Sequence, residues 1–214
     1  MTRFRSVVFD LDSTLSAIEG IDWLAALRSP GAAAEVASLT EQAMAGSLPI
    51  DQLYGRRLEL VRPTAKELAL LGAAYQAAVV PGARETVVRF RKEGVAMAIV
   101  SGGIREAILP FAKWLGFGGA DLHAVSVRHD LAGEYAGWDD TSPLATPAGK
   151  GVVVQRLALA APVLGVGDGN TDVAVKEAGA SFAAFTGVVR REAVVRQADH
   201  VVANFDELST LVLA

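Results

Sequence analysis

The chain has 214 residues, 51% of them hydrophobic and 21% charged, and it contains no cysteine. At roughly 150 residues per domain, that length makes one large domain or a core with a smaller insert. Such a chain buries about 70% of its unfolded surface, so its core needs no disulfide or structural metal. Zero Cys excludes a disulfide scaffold, a thiolate nucleophile and a cysteine-ligated zinc site, and the formal charge of −4 argues against a nucleic-acid partner, which selects a basic face.

Mean hydropathy is positive, so a membrane segment has to be excluded explicitly. The longest apolar stretch, Leu68 to Val80, contains Tyr75 and Gln76 and stops at Pro81. It falls short of the ~18 apolar residues of a spanning helix. The opening MTRFRSVVFD meets aspartate after a short apolar run, whereas a signal peptide has an apolar region of about 7–15 residues. A soluble, cytoplasmic protein is expected, although zero Cys also suits an oxidising compartment.

Short β-branched runs alternate with longer helical patterns, the signature of parallel α/β architecture. Ser6 to Phe9 predicts a buried strand that ends in acid. From Ser16 to about Val80 there is only Ala/Leu/Glu-rich helical pattern, punctuated by Pro30-Gly31, Gly46, Pro49 and Pro63. A plain crossover needs one helix and this segment has room for three or four. It reads as a helical cap inserted after the first strand, or as extra helices packed on the sheet. Next come a helix over 83–93, a strand from Val95 to Val100 ending in Ser101-Gly102-Gly103, and a helix over 104–115. A small β-hairpin over 125–138 turns near Ala132-Gly133. A helix over 148–160 precedes a strand from Pro162 to Val166, which ends in Gly167-Asp168-Gly169. Helices over 171–178 and 188–197 alternate with weaker strand patterns at Ala180 to Ala184 and Val201-Val202. Ligands of open α/β sheets bind at the carboxyl ends of strands, so the Asp, Ser and Gly residues there should converge.

Asp10 and Asp12, in FDLDSTL, are two apart where a strand ends, so their side chains can reach the same region. Two carboxylates in one small site cannot both ionise cheaply. A carboxylate nucleophile beside a carboxylic acid suits a covalent phosphoryl enzyme, while the same spacing also fits a solvated pair at a strand end. GDGNTD supplies Asp168 and Asp172 after another buried strand. Aspartates converging from separate strand ends suit a hard cation, and Mg²⁺ favours one or two carboxylates with phosphate and water. A dinucleotide fingerprint fails there, because Asn170 takes the last glycine position and Asp168 would repel a pyrophosphate. Ser101-Gly102-Gly103 offers a hydroxyl and backbone N–H groups where a helix is expected to open, a seat for an anion or an ordinary cap. It is no nucleophile elbow, since Ile99 precedes Ser101 by two. Lys150, in PAGKG, lacks the glycine of a P-loop.

Charge accounting makes the set more specific than its parts. Four aspartates bring up to four negative charges, and a phosphomonoester adds roughly two more. One Mg²⁺ and Lys150 offset three of these, and a protonated Asp12 removes another; without them a carboxylate could not approach the phosphate.

With FDLDSTL, the SGG turn, Lys150 and GDGNTD in that order, the chain resembles the haloacid-dehalogenase-like superfamily. Glu19-Gly20-Ile21-Asp22, Ala43-Met44-Ala45-Gly46 and GEYAGWD at 133–139 extend the likeness over nearly the whole chain, to the phosphoserine phosphatase family. The resemblance implies a Rossmann-like parallel-sheet core, residues 1–15 and 81–214, with a small inserted helical cap at 16–80. It implies Mg²⁺-dependent hydrolysis of O-phosphoserine through an aspartyl-phosphate, the last step of serine biosynthesis. Asp10 would be the nucleophile and Asp12 the general acid and then base. Mg²⁺ would be held by the Asp10 carboxylate, the Asp12 carbonyl and Asp168, with Asp172 in support. Ser101, Gly102 and Lys150 would hold the phosphoryl oxygens. Glu19 would meet the substrate ammonium and Arg57 its carboxylate, for which a planar guanidinium is well shaped. Thr171 stands where many relatives have Asn and is a further substrate contact, and Ile104 follows SGG where Phe is frequent.

Rival readings lack features or carry too many. A dehalogenase needs no acid at position 12, a phospho-receiver domain is much shorter, and a P-type pump needs membrane helices. The remaining alternative is a phosphatase of the same family for homoserine phosphate, phosphocholine or a sugar phosphate. The expected partner is a small-molecule substrate, with no nucleic acid and no membrane, and the chain is expected as a monomer or homodimer. His123, His129 and His200 match no metal or triad spacing and read as structural.

Overall fold

A computed structural model describes residues 2–44 and 50–214. Ala45 and Gly46 of the Ala43–Gly46 motif, and Pro49, lie outside the described residues. Strands β1 (Ser6–Phe9), β2 (Ala96–Ile104), β3 (Leu122–Val125), β6 (Val163–Gly167), β7 (Ser181–Phe185) and β8 (His200–Val202) form one parallel sheet. Its order is β3-β2-β1-β6-β7-β8, and β4 (Val127–His129) pairs antiparallel with β5 (Tyr135–Trp138) as a separate hairpin. All four β1 residues are buried, as expected of a central strand covered on both faces. From β1 the chain runs outward one way through β2 and β3, then the other way through β6 to β8. The switch point between β1 and β6 is where open α/β sheets form their ligand crevice.

Among the described residues, four helices follow β1 before the next core helix: α1 (Gly20–Ala25), α2 (Pro30–Met44), α3 (Ile50–Val61) and α4 (Ala65–Ala77). The segments entering and leaving this insert run side by side. Ala17 N–H donates to Ala78 O at 2.8 Å, Val80 N–H to Leu15 O at 3.0 Å, and Ser16 Oγ to Tyr75 O at 3.1 Å. Thr64 and Glu67 form a capping box at the start of α4. The Arg28 guanidinium grips both Glu67 oxygens, at 2.6 and 2.7 Å, and holds that carboxyl down at about 2. This clamp ties the end of α1 to α4.

After α5 (Ala83–Lys92) and β2, α6 (Arg105–Leu115) packs along α4. Gly72 permits the close approach, since a Cβ there would lie 2.9 Å from Ala107 O, and Tyr75 stacks on Phe111 with ring centroids 6.1 Å apart. Later come α7 (Gly149–Leu157), a 3₁₀ segment at Asn170–Ala178, α8 (Glu192–Val195) and α9 (Phe205–Leu213). No helix among the described residues is long and apolar enough to cross a membrane.

Several sequence expectations are corrected. The helix expected over 148–160 ends at Leu157, where Ala158 turns left-handed with φ 46°. The helix over 171–178 is 3₁₀, and that over 188–197 shrinks to α8, whose apolar pattern is too short to support more turns. Strand β3 had no β-branched run to announce it. Helix α9 carried a readable signal, because Asn204 accepts from Glu207 N–H at 2.8 Å as its N-cap.

Candidate active site

Asp10 leaves β1 still in the ladder, its N–H donating to Val166 O at 2.9 Å. The chain then folds back on itself. Leu11 O accepts from Thr14, Leu15 and Ser16 N–H at 3.2, 2.9 and 3.0 Å. Ser13 takes φ 53°, a left-handed conformation uncommon outside glycine. This tight loop directs Asp10 and Asp12 to the same cavity at the switch point. Ser13 Oγ donates to Glu19 Oε1 at 2.7 Å, which links the loop to the start of α1.

Lys150 stands between two carboxylates. Its Nζ lies 2.8 Å from Asp10 Oδ1 and 2.5 Å from Asp172 Oδ1, and all three groups are buried. Burial works against the lysine charge, yet Asp10 and Asp172 outweigh it and hold the ammonium above its usual value. Burial, then the Asp10 charge, push the Asp172 carboxyl up to about 7 against the pull of Lys150. Gly169 N–H donates to Asp172 Oδ2 at 2.9 Å. Gly167 cannot be replaced without collision, because a Cβ there would lie 2.1 Å from Asp172 Cγ. Asp168 is paired with Arg191.

Asp10, Asp168 and Asp172 each present an oxygen within 4.8 Å of the others, and all three are buried. A compact set of hard oxygen donors, with only part of its charge matched by Lys150 and Arg191, fits a divalent cation. The Asp12 carboxylate is not part of that cluster.

Ser101-Gly102-Gly103 is placed differently from expectation. Strand β2 runs on through Ile104, and α6 begins only at Arg105. The SGG segment is therefore extended backbone rather than a helix N-terminus. Its pairing with β3 shifts register between Val100 and Ile104, as an irregularity beside a site often does. Ser101 Oγ accepts from Gly103 N–H at 3.0 Å. Gly103 keeps the space beside Asp12 open, since a Cβ would lie 3.5 Å from Asp12 Oδ2 and 2.9 Å from Ile108 Cδ1.

The cavity is lined by Asp10, Asp12, Glu19, Ile21, Tyr54, Arg57, Ser101, Gly102, Gly103, Leu144, Lys150 and Thr171. It encloses about 30 Å³, room for water rather than for a phosphate ester. Burial, then the charges of Glu19 and Asp10, raise the Asp12 carboxyl well above the usual range. Tyr75 faces Asp12 closely enough to oppose that rise, yet the pair falls short of a hydrogen bond, and Asp12 Oδ1 and Tyr75 Oη are both buried without a partner. Burial also raises Glu19, against its bond from Ser13 and the Arg57 charge. Arg57 Nε and Tyr54 Oη are likewise buried and without a partner among the described residues. Such orphaned donors are costly unless a ligand completes them.

Every residue expected at the phosphate, catalytic and substrate positions borders this one cavity, with Asp168 and Asp172 grouped about Asp10. A larger open hollow of about 570 Å³ lies along β8 and α9, but no buried charge lines it. The histidines keep apart: His129 meets Pro63 O at 3.0 Å and His200 packs edge-on to Phe4. Sequence reasoning missed Tyr54, Tyr75 and Arg191. Tyr54 was within reach, because it precedes Arg57 by one helical turn and so shares its face. Tyr75 and Arg191 are brought in by packing from distant segments and left no local signal.

A model of the haloacid dehalogenase-like hydrolase family matches residues 4–179. The chain is 34% identical over 206 residues to phosphoserine phosphatase of Bos taurus, covering 95% of this chain and 91% of that one. It is 33% identical over 209 residues to the chloroplastic phosphoserine phosphatase of Arabidopsis thaliana, covering 95% and 70%. The crystal structure of a phosphoserine phosphohydrolase-like protein from Francisella tularensis superposes with TM-score 0.89 at 26% identity, covering 98% of this chain and all of that one. An acid cluster at the sheet's switch point, a family match over most of the chain and relatives matching nearly all of it agree: the chain belongs to the haloacid dehalogenase-like hydrolases.

Proposed function

We propose that the chain is a Mg²⁺-dependent phosphoserine phosphatase working through an aspartyl-phosphate. The observation that carries this reading is Lys150 held between Asp10 and Asp172, in a cavity that half-buried Glu19 and buried Arg57 also line. The similarity to phosphoserine phosphatases over 95% of the chain supports it.

Residues 16–80 act as the cap, and residues 1–15 and 81–214 as the core. Lys150, Ser101 and Gly102 hold the phosphoryl oxygens, while Arg57 takes the substrate carboxylate and Glu19 its ammonium, with Thr171 at the edge. An Asp10 carboxylate oxygen attacks phosphorus, and the bond from phosphorus to the serine oxygen breaks. Asp12, kept protonated by burial and its acidic neighbours, gives its proton to the departing alkoxide. Asp12, now a carboxylate, then takes a proton from water as that water attacks phosphorus, which releases phosphate and restores Asp10. Asp10, Asp168 and the Asp12 carbonyl, with Asp172 in support, would hold Mg²⁺, which when bound supplies positive charge against the crowded oxygens. All these groups come from one chain, so the reaction asks for no partner subunit.

The test is phosphate release from O-phosphoserine, homoserine phosphate, phosphocholine and glucose 6-phosphate, with Mg²⁺ and with EDTA. Preference for phosphoserine, loss in EDTA and inactivity of Asp10→Asn are expected. Preference for another ester would move the assignment within the family, and an active Asp10→Asn would end the covalent mechanism.

A further inference from the structure

We infer that the Tyr54 hydroxyl is a second recognition group for the substrate carboxylate, working beside Arg57. The inference rests on the phosphoserine reading and deepens it. Tyr54 is 1% exposed and borders the cavity, and its hydroxyl has no partner among the described residues. Arg57 lies one turn further along α3, is 4% exposed, borders the same cavity, and has an unpartnered Nε. Two donors on one face of one helix, both bordering the cavity and without a partner among the described residues, suit an acceptor with more than one oxygen. A carboxylate is planar and can accept from a guanidinium and a hydroxyl together.

The ring is fixed in place to do this. It packs on Trp138 with centroids 5.1 Å apart, and Gly55 lets that indole approach, since a Cβ there would lie 3.3 Å from Trp138 Cζ2. Burial raises the phenol far above neutral pH, so the hydroxyl remains a donor throughout the working range. The phosphoryl group has its own donors: Lys150 on α7 and Ser101 and Gly102 on β2 are assigned to its oxygens.

The test compares Tyr54→Phe with the unmutated protein on O-phosphoserine and on O-phosphoethanolamine, which keeps phosphate and ammonium but lacks the carboxylate. For phosphoserine, kcat/KM should fall about tenfold or more, the usual worth of a hydrogen bond to a charged group, mainly through KM. For phosphoethanolamine it should stay within about twofold, because that ester never engages the hydroxyl. The melting temperature without substrate should hold or rise, because the lost hydroxyl had no partner. Equal losses on both esters, or no loss on either, would overturn the inference and leave the phosphoserine reading standing. If the unmutated protein does not favour phosphoserine over phosphoethanolamine, carboxylate recognition itself is wrong, and the inference falls with it.

Discussion

The hydroxyl of Tyr75 occupies the space that a side chain at position 20 would need: a Cβ on Gly20 would lie 1.9 Å from Tyr75 Oη. Gly20 opens α1 and Tyr75 closes the buried face of α4, so one missing methyl lets two helices of the insert meet beside Asp12. Gly20→Ala should therefore destabilise the protein by about 1–3 kcal/mol, the usual cost of overpacking, and lower kcat by moving Tyr75 against the acid. Adding Tyr75→Phe should recover part of the stability, since the ring carbon would still be only 2.9 Å away. Urea denaturation of the two single variants and the double variant measures the coupling; strictly additive effects would disprove the contact.

Asp12 gives a pH dependence with a definite sign. Its folded value is raised above the ordinary 3.8, first by burial and then by Glu19 and Asp10. The folded state therefore binds its proton more tightly than the unfolded chain. Its favourable contribution is complete below the unfolded value and is lost as pH rises through the folded one. In EDTA, Asp12→Asn should melt higher than the unmutated protein near pH 8, and the difference should shrink toward pH 4. A constant difference in melting temperature across that range would show that Asp12 has no raised value.

The same variant separates acid catalysis from binding. Asp12→Asn should keep phosphate affinity but lose roughly 10²–10⁴ in rate on phosphoserine. The serine alkoxide is a strong base and needs the proton, whereas p-nitrophenolate needs it less. The loss should be smaller for p-nitrophenyl phosphate, provided phosphoenzyme formation limits both. Equal losses under that condition contradict a proton donor.

Arg57 and Glu19 should control selectivity rather than chemistry. Arg57→Ala should cut kcat/KM for phosphoserine by roughly 10- to 150-fold, the worth of a charge-assisted contact, and spare phosphoethanolamine. Glu19→Gln should discriminate in the same way against an ester lacking the amine, with some added cost from weakening its 2.7 Å bond to Ser13. Uniform losses on all esters would assign both residues to holding the cap.

What the sequence determined by itself is the alternation of strands and helices in the core and the acids placed at strand ends. Asp10, Ser101 and Asp168 were readable because each follows a short apolar run, and parallel strands must bring their carboxyl ends to one side of the sheet; Lys150, on α7, was reached only through the family resemblance. Local pattern carries that information, since buried strands are unbroken apolar runs and helices keep their period. Only the tertiary structure decided that Ser101-Gly102-Gly103 continues β2 instead of opening α6, because Ile104, beyond the irregularity, still pairs with Val125 of β3 and keeps the segment extended. It alone also brought Tyr75 to Asp12 and Arg191 to Asp168, across separations in sequence that no local rule spans. Tyr54 stands between the two cases: its helical spacing from Arg57 was visible, but a tyrosine on a helix is ordinarily core. Its proposed role rests on a hydroxyl without a partner among the described residues, a fact visible only once the segments packed around it are in place.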